Sequence, residues 1–233
     1  MATREEDFGE YIFTTSTHDN LLFFSTKGIV YKLKGYNIPE AGRQAKGTAI
    51  VNLIPLENNE KVTAMIPVAE FEEDKYLTFV TRNGTIKKTD LMDYSRIRSG
   101  GLRAIELVEG DELITVQVTD NDKNMLIATH DGMAIRFSEK DVRPMGRTTR
   151  GVRGIRLKDG DYVVGACVAD KNTDLLAVTE NGYGKRTVMD EYKIQTRGGK
   201  GIFTYRITDK TGKIAGISNV TDEDDIMLIT SAG

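Results

Sequence analysis

Leu126-Ile127-Ala128-Thr129-His130-Asp131-Gly132-Met133-Ala134-Ile135-Arg136-Phe137 is two strand-like runs joined by an Asp-Gly pair. Asp and Gly tolerate the positive φ angles of a tight primed turn, so the stretch reads as a β-hairpin. Working outward, Asn83-Gly84 and Asn181-Gly182 repeat the signal, and the runs 21–28 and 226–233 also end on a glycine. The turn glycines Gly28, Gly84, Gly132, Gly182 and Gly233 are 56, 48, 50 and 51 residues apart. A second series, Gly47, Gly101, Gly151 and Gly201, is spaced by 54, 50 and 50. Two interleaved glycine series sharing one period indicate an internal repeat.

Each period reads as short strands. The runs 11–17, 61–68, 113–119, 162–169 and 214–220 are rich in β-formers, and a polar or acidic loop follows each (18–20, 70–75, 120–124, 170–174, 222–225). A second strand leads to the turn glycine. A third follows it at 29–33, 85–88, 133–137 or 183–187, and a fourth is expected beyond the second glycine at 49–53, 102–107, 152–157 or 202–207. Four strands in about 50 residues is the arithmetic of a propeller blade. No convincing amphipathic helix interrupts them. The expectation is one all-β domain over 1–233, with blade repeats at 11–60, 61–112, 113–161, 162–213 and an incomplete 214–233.

Composition limits what such a domain does. The chain has 233 residues, 39% hydrophobic and 29% charged, with one Cys and two His. That supports a folded core and no disulfide framework, and the lone Cys167 fits a reducing compartment. His18, His130 and Cys167 lie too far apart in sequence for a familiar zinc spacing, and the 182–187 run lacks a complete phosphate-loop pattern. No apolar run reaches the roughly 18 residues of a membrane span, and the charged start at 3–7 is unlike a signal peptide. A cytoplasmic protein without cofactor, small-molecule substrate or membrane partner is expected.

The net charge of −3 hides a strong sorting by repeat position. Segments 27–47, 82–103, 132–156 and 182–206 hold 24 of the 32 Lys and Arg but 7 of the 35 Asp and Glu, a net +17 against −20 elsewhere. Equivalent positions of a repeat fall on the same side of the array, so these segments are expected to form a continuous basic band. The candidate contacts are Lys32, Lys34, Arg43 and Lys46; Lys87, Lys88, Arg96, Arg98 and Arg103; Arg136, Arg147, Arg150 and Arg153; and Lys185, Arg186, Arg197 and Lys200. Arginine forks beside glycine suit phosphate oxygens, and phosphate sites repeated along a curved rim point to a long duplex. A solvated face neutralised by the acidic loops is the alternative. Few aromatics lie in the basic segments, which disfavours a single-strand stacking platform.

Gln195-Thr196-Arg197-Gly198-Gly199-Lys200-Gly201 resembles the box motif of the DNA gyrase A protein, Gln-(Arg/Lys)-Arg-Gly-Gly-(Arg/Lys)-Gly, with Thr196 in place of a basic residue. Segments 16–24, 36–40, 145–152 and 180–187 are also similar to the C-terminal domain of gyrase A, in order along nearly the whole chain. The resemblance implies a β-pinwheel whose blades exchange strands and whose basic rim wraps double-stranded DNA, directing negative supercoiling. It implies as partners gyrase B and the rest of gyrase A, in the bacterial cytoplasm at the nucleoid. It implies that the catalytic tyrosine and the ATPase of the topoisomerase lie outside this chain. In that family the principal box precedes the stretch resembling 5–28, so the copy at 195–201 corresponds to a later, degenerate one. The related C-terminal domain of topoisomerase IV is an alternative. So is a propeller-like protein-interaction module, which the absence of Trp separates from the WD type. An enzyme with its site in a central channel would need recurring acidic or His clusters at inward strand ends, and none is found.

Overall fold

A computed structural model describes residues 14–42, 45 and 47–226. The strands are β1 (Asn20–Ser25), β2 (Ile29–Lys34), β3 (Val62–Val68), β4 (Tyr76–Thr81), β5 (Thr85–Asp90), β6 (Leu102–Arg103), β7 (Leu113–Thr119), β8 (Asn124–Thr129), β9 (Met133–Ser138), β10 (Val152–Arg153), β11 (Val163–Val168), β12 (Asp174–Thr179), β13 (Gly184–Val188), β14 (Ile202–Phe203) and β15 (Ile214–Val220). The helical turns between them are short 3-10 segments, at 35–37, 50–52, 91–94, 139–141 and 189–191. Among the described residues no helix is long and apolar enough to cross a membrane.

Among the described residues four antiparallel sheets form the blades. Their strand orders are β3-β1-β2-β6, β7-β4-β5-β10, β11-β8-β9-β14 and β15-β12-β13. Strands β3, β7, β11 and β15 neighbour one another and make the hub, so the last strand of each order is the outermost. The sheets do not follow the expected repeat boundaries: the 61–68 run, assigned to the second repeat, pairs with β1 in the first sheet. In the first three sheets the outermost strand is exchanged. β6 closes the first sheet although it follows the β4–β5 hairpin of the second, and β10 and β14 are displaced in the same way.

Six of the repeated glycines, Gly28, Gly84 and Gly132 of the first series and Gly101, Gly151 and Gly201 of the second, are explained by this exchange. Gly28, Gly84 and Gly132 have φ of 74°, 80° and 86°, and each turn carbonyl accepts two amides from the arriving segment: Ala104 and Ile105, Gly154 and Ile155, Thr204 and Tyr205. Gly101, Gly151 and Gly201 lie where that segment crosses the hairpin edge, whereas a Cβ at Gly47 would meet no neighbour. Gly151 has φ 99°, and a Cβ there would stand 2.5 Å from the Ile86 carbonyl oxygen. Only glycine supplies both the left-handed conformation and the close approach.

The exchanged strands are two residues long, shorter than the expected 102–107, 152–157 and 202–207. After two residues the backbone turns onto the glycine carbonyl and leaves the ladder. The expected strand at 49–53 is instead a 3-10 turn over 50–52. Residues 14–17 form no strand, 11–13 lie outside the described residues, and so does most of the expected strand at 226–233.

The core sits between sheets. Leu22, Phe24 and Val30 of the first sheet meet Leu77, Phe79, Leu91 and Tyr94 of the second. The Phe24 and Phe79 rings cross edge to face at 5.6 Å. Val80 and Ile86 meet Ile127, Ile135 and Phe137 in the next layer, and Leu126 and Ala128 meet Leu175, Met189 and Tyr192 in the last. The second and third sheets are therefore covered on both faces, which is why β4 and β8 are buried along nearly their whole length rather than at alternate residues.

Candidate nucleic-acid interface

Beyond each β-hairpin the chain makes a 3-10 turn and returns along the outer edge of the preceding blade. Bridges at Lys88–Pro144 and Val152–Ile86 pin both ends of the loop 145–151 to β5. Bridges at Arg136–Ile194 and Ile202–Ala134 pin the box-like loop 195–201 to β9 in the same manner. The loops also join one another. Thr149 O accepts the Glu106 amide at 3.1 Å, Gly199 O accepts the Arg156 amide at 2.8 Å, and Gly154 O accepts the Gly198 amide at 2.8 Å. Successive loops thus form one hydrogen-bonded rim over three blades.

The rim carries exposed cations. Arg96, Arg98, Arg103, Arg150, Arg153 and Lys200 are exposed and Arg147 is half-buried. Arg150 lies 3.3 Å from Glu106, a surface pair of little strength. Arg143, Arg156, Lys193 and Arg206 are also exposed, although none was among the candidate contacts. Their signal was available: Arg143 and Lys193, and likewise Arg156 and Arg206, are one 50-residue period apart.

The other candidates occupy different places. Lys87, Lys88 and Arg136 do not belong to the surface; they are 0%, 0% and 4% exposed. Lys88 Nζ donates to Glu139 O at 2.9 Å and Asn121 Oδ1 at 2.7 Å, and faces the buried Glu139 carboxylate at 3.7 Å. Arg136 Nη1 donates to the carbonyls of Met189 and Tyr192 in the next blade. Lys87 Nζ donates to Ala104 O at 2.6 Å and Arg147 O at 2.5 Å. Their long side chains exchange water for backbone carbonyls, so they act as internal struts. Burial lowers the Lys88 ammonium below its ordinary value against the opposing pull of Glu139, and lowers Lys87 to about 7.

Lys32, Lys88, Arg136 and Arg186 each stand four residues beyond a turn glycine. The first three reach into the next blade's 3-10 turn or its end, Lys32 through Ser95 O at 2.8 Å. Arg186 instead pairs with Asp174 and Asp222, which raise its guanidinium further. Lys34 Nζ donates to His18 O at 3.0 Å and Lys185 Nζ to Thr204 O at 3.2 Å. Arg43 and Lys46 lie outside the described residues.

In the box-like loop the roles divide by residue. Gln195 is anchored by its amide to Arg136 O, and Thr196 is exposed. Arg197 folds back, its Nε donating to Asp141 O at 3.1 Å and its Nη1 to Arg153 O. Gly198 and Gly201 take φ of 81° and 75°, the Gly199 carbonyl receives the Arg156 amide, and Lys200 is exposed to solvent. The acidic loops are shaped by their own side chains: Asp120 accepts the Asp122 amide, Asp170 the Asn172 amide and Asp224 the Thr221 amide. Such turns need short acceptors, a structural reason for the aspartates.

The DNA gyrase C-terminal domain model, a beta-propeller family, matches residues 19–69, 75–120, 123–168 and 173–221. The chain belongs to the DNA gyrase C-terminal domain family. Each block matched to this gyrase family holds one hairpin together with the hub strand that pairs with it. A DNA gyrase A protein from Clostridium acetobutylicum is 58% identical over 233 residues, all of this chain and 28% of the relative. One from Staphylococcus epidermidis is 50% identical over 236 residues, all of this chain and 26% of the relative. The chain thus spans about a quarter of the length of these curated relatives. Among solved structures, the C-terminal domain of a DNA topoisomerase IV superposes with TM-score 0.83 at 29% identity, covering 94% of this chain and 70% of that one. A DNA gyrase A C-terminal domain superposes with TM-score 0.76 at 29% identity, covering 90% and 68%.

Proposed function

We propose that this gyrase-type domain binds double-stranded DNA along its rim and bends it, as the non-catalytic wrapping element of gyrase A. The observation that supports this most is the linked rim: exposed arginines and lysines recur on three hydrogen-bonded loops at the outer edge of successive blades. Such a surface meets phosphates at intervals along a curved path and has no groove-reading helix among the described residues, so affinity without strong sequence preference follows. In the parent enzyme the wrap would direct negative supercoiling. DNA cleavage and ATP hydrolysis would then belong to the rest of gyrase A and to gyrase B, at the nucleoid of a bacterial cytoplasm. The topoisomerase IV structure superposes at least as well in fold, whereas the 58% and 50% identical relatives are gyrase A proteins and favour the gyrase assignment.

Bending a duplex of about 40 base pairs through a half circle costs on the order of 10 kcal/mol, which rim contacts must offset. The test is energy transfer between dyes at the two ends of such a duplex during titration with the protein. Transfer should rise on binding and collapse with salt, and with about ten phosphates neutralised log K should fall against log salt with a slope of about −9. The triple change Arg147→Glu, Arg150→Glu and Arg153→Glu should abolish the rise while the melting temperature holds. Persistence of bending in that variant would exclude the rim as the DNA path.

A further inference from the structure

The Lys87 ammonium touches both of the first two rim loops from inside the molecule. It donates to the carbonyl of Ala104, next to Arg103 at the end of β6, and to the carbonyl of Arg147 in the loop 145–151. The first loop closes the first sheet and the second closes the second sheet. Ala104 O also accepts the Tyr94 hydroxyl at 3.0 Å, so this carbonyl is held from two sides. The ammonium stands 5.2 Å from the centre of the Phe79 ring, and Lys87 has no exposed surface.

No equivalent residue does this in the neighbouring repeats. Three residues beyond the other turn glycines stand Tyr31, Ile135 and Lys185. Tyr31 donates its hydroxyl to Glu60, and Ile135 is apolar. Lys185 is exposed and reaches the single carbonyl of Thr204. At the next junction the loops are tied by Arg197 and the Gly198 amide instead.

We propose that Lys87 is a positioning residue for DNA, fixing the separation of Arg103 and Arg147 on adjacent blades and so the local curvature the rim imposes. This rests on the duplex-binding reading above. An ammonium presents three donors and full charge to two carbonyls, whereas a neutral amine presents two donors and no charge, which makes the tie weaker. The charged and titratable groups around it are few: Asp93 and the Tyr94 hydroxyl on the 3-10 turn, and the Arg147 guanidinium on the rim loop; β4 contributes the uncharged Phe79 ring. Burial, opposed by Asp93 and aided by Arg147, brings the ammonium to about 7, while burial raises the Tyr94 hydroxyl above its ordinary range. Near neutrality the tie is therefore set by Lys87.

The experiment compares the wild-type chain with Lys87→Met and Lys87→Arg, using the end-labelled duplex between about pH 6 and about pH 8.5. Lys87→Met should stay folded, bind roughly tenfold more weakly, the scale of one lost charge-assisted hydrogen bond, and bend less. The wild type should lose bending as pH rises, whereas Lys87→Arg, always charged, should hold it. A Lys87→Met variant that bends like the wild type, or matching pH profiles for wild type and Lys87→Arg, overturns the proposal. Amide exchange without DNA separates the two readings. Faster exchange at 102–105 and 145–150 in Lys87→Met, with no DNA bound by any variant, keeps the internal tie but overturns its role toward DNA. Unchanged exchange overturns the tie itself.

Discussion

Lys88 and Glu139 face each other with no exposed surface, so each charge is tolerated because the other is present. Removing one partner leaves an uncompensated charge, which costs about 3–5 kcal/mol. Lys88→Ala should therefore lower unfolding free energy by roughly that amount in urea titration, whereas Arg96→Ala, on an exposed residue, should change it by less than about 0.5 kcal/mol. Lys87 makes a prediction with a sign. Its ammonium sits at about 7 in the fold and at the ordinary value of 10.5 when unfolded, so between these values the unfolded chain holds more protons. Stability must then rise with pH across that window as the fold ceases to hold a buried charge, and this contribution is flat below it. Lys88 acts in the same direction. The buried Cys167 thiol, pushed up from 9.0 to about 12, acts oppositely once pH passes 9.0. Chemical denaturation between about pH 7 and about pH 9 should show the rise, and Lys87→Met should flatten it.

At the scale of the element, the hairpins and their phase were legible and the partners of the charges were not. Asp131-Gly132 and its counterparts announce a turn through local backbone chemistry, which a sequence displays directly. Lys87 and Lys88 are adjacent in β5 and point to opposite faces, so a strand pattern suggests that at least one meets solvent. Both are interior because β5 is covered by a neighbouring sheet and by the exchanged loop. The carbonyls that Lys87 reaches lie 17 and 60 residues away from it. A charge satisfied by distant backbone leaves no mark in composition. The short lengths of β6, β10 and β14 were hidden for a related reason, since their extent is decided by another blade's turn. Gly101, Gly151 and Gly201 mark that crossing. Gly151→Ala should destabilise the domain by at least about 1 kcal/mol, because an L-residue is strained at that φ and its Cβ meets the Ile86 carbonyl. Thermal unfolding of that variant beside Gly146→Ala, where a Cβ meets nothing, isolates the effect.

For the whole molecule, each sheet shares a core with its neighbour, so the blades are coupled in series as in other repeat proteins. Hydrogen exchange should find the slowest amides in β4 and β8, central in doubly covered sheets, and faster exchange in the two-residue outer strands. The exchange of outer strands also gives the chain a direction in time. β2 ends at Lys34, but the strand that closes its edge begins at Leu102, 68 residues later. At ribosomal rates of about 5–20 residues per second, the first sheet waits roughly 3–14 s after its hairpin is made before its border can be sealed. Throughout synthesis each newly built blade has an unsatisfied flank that only the next repeat relieves. Nascent chains of this kind are vulnerable at whichever blade was made last.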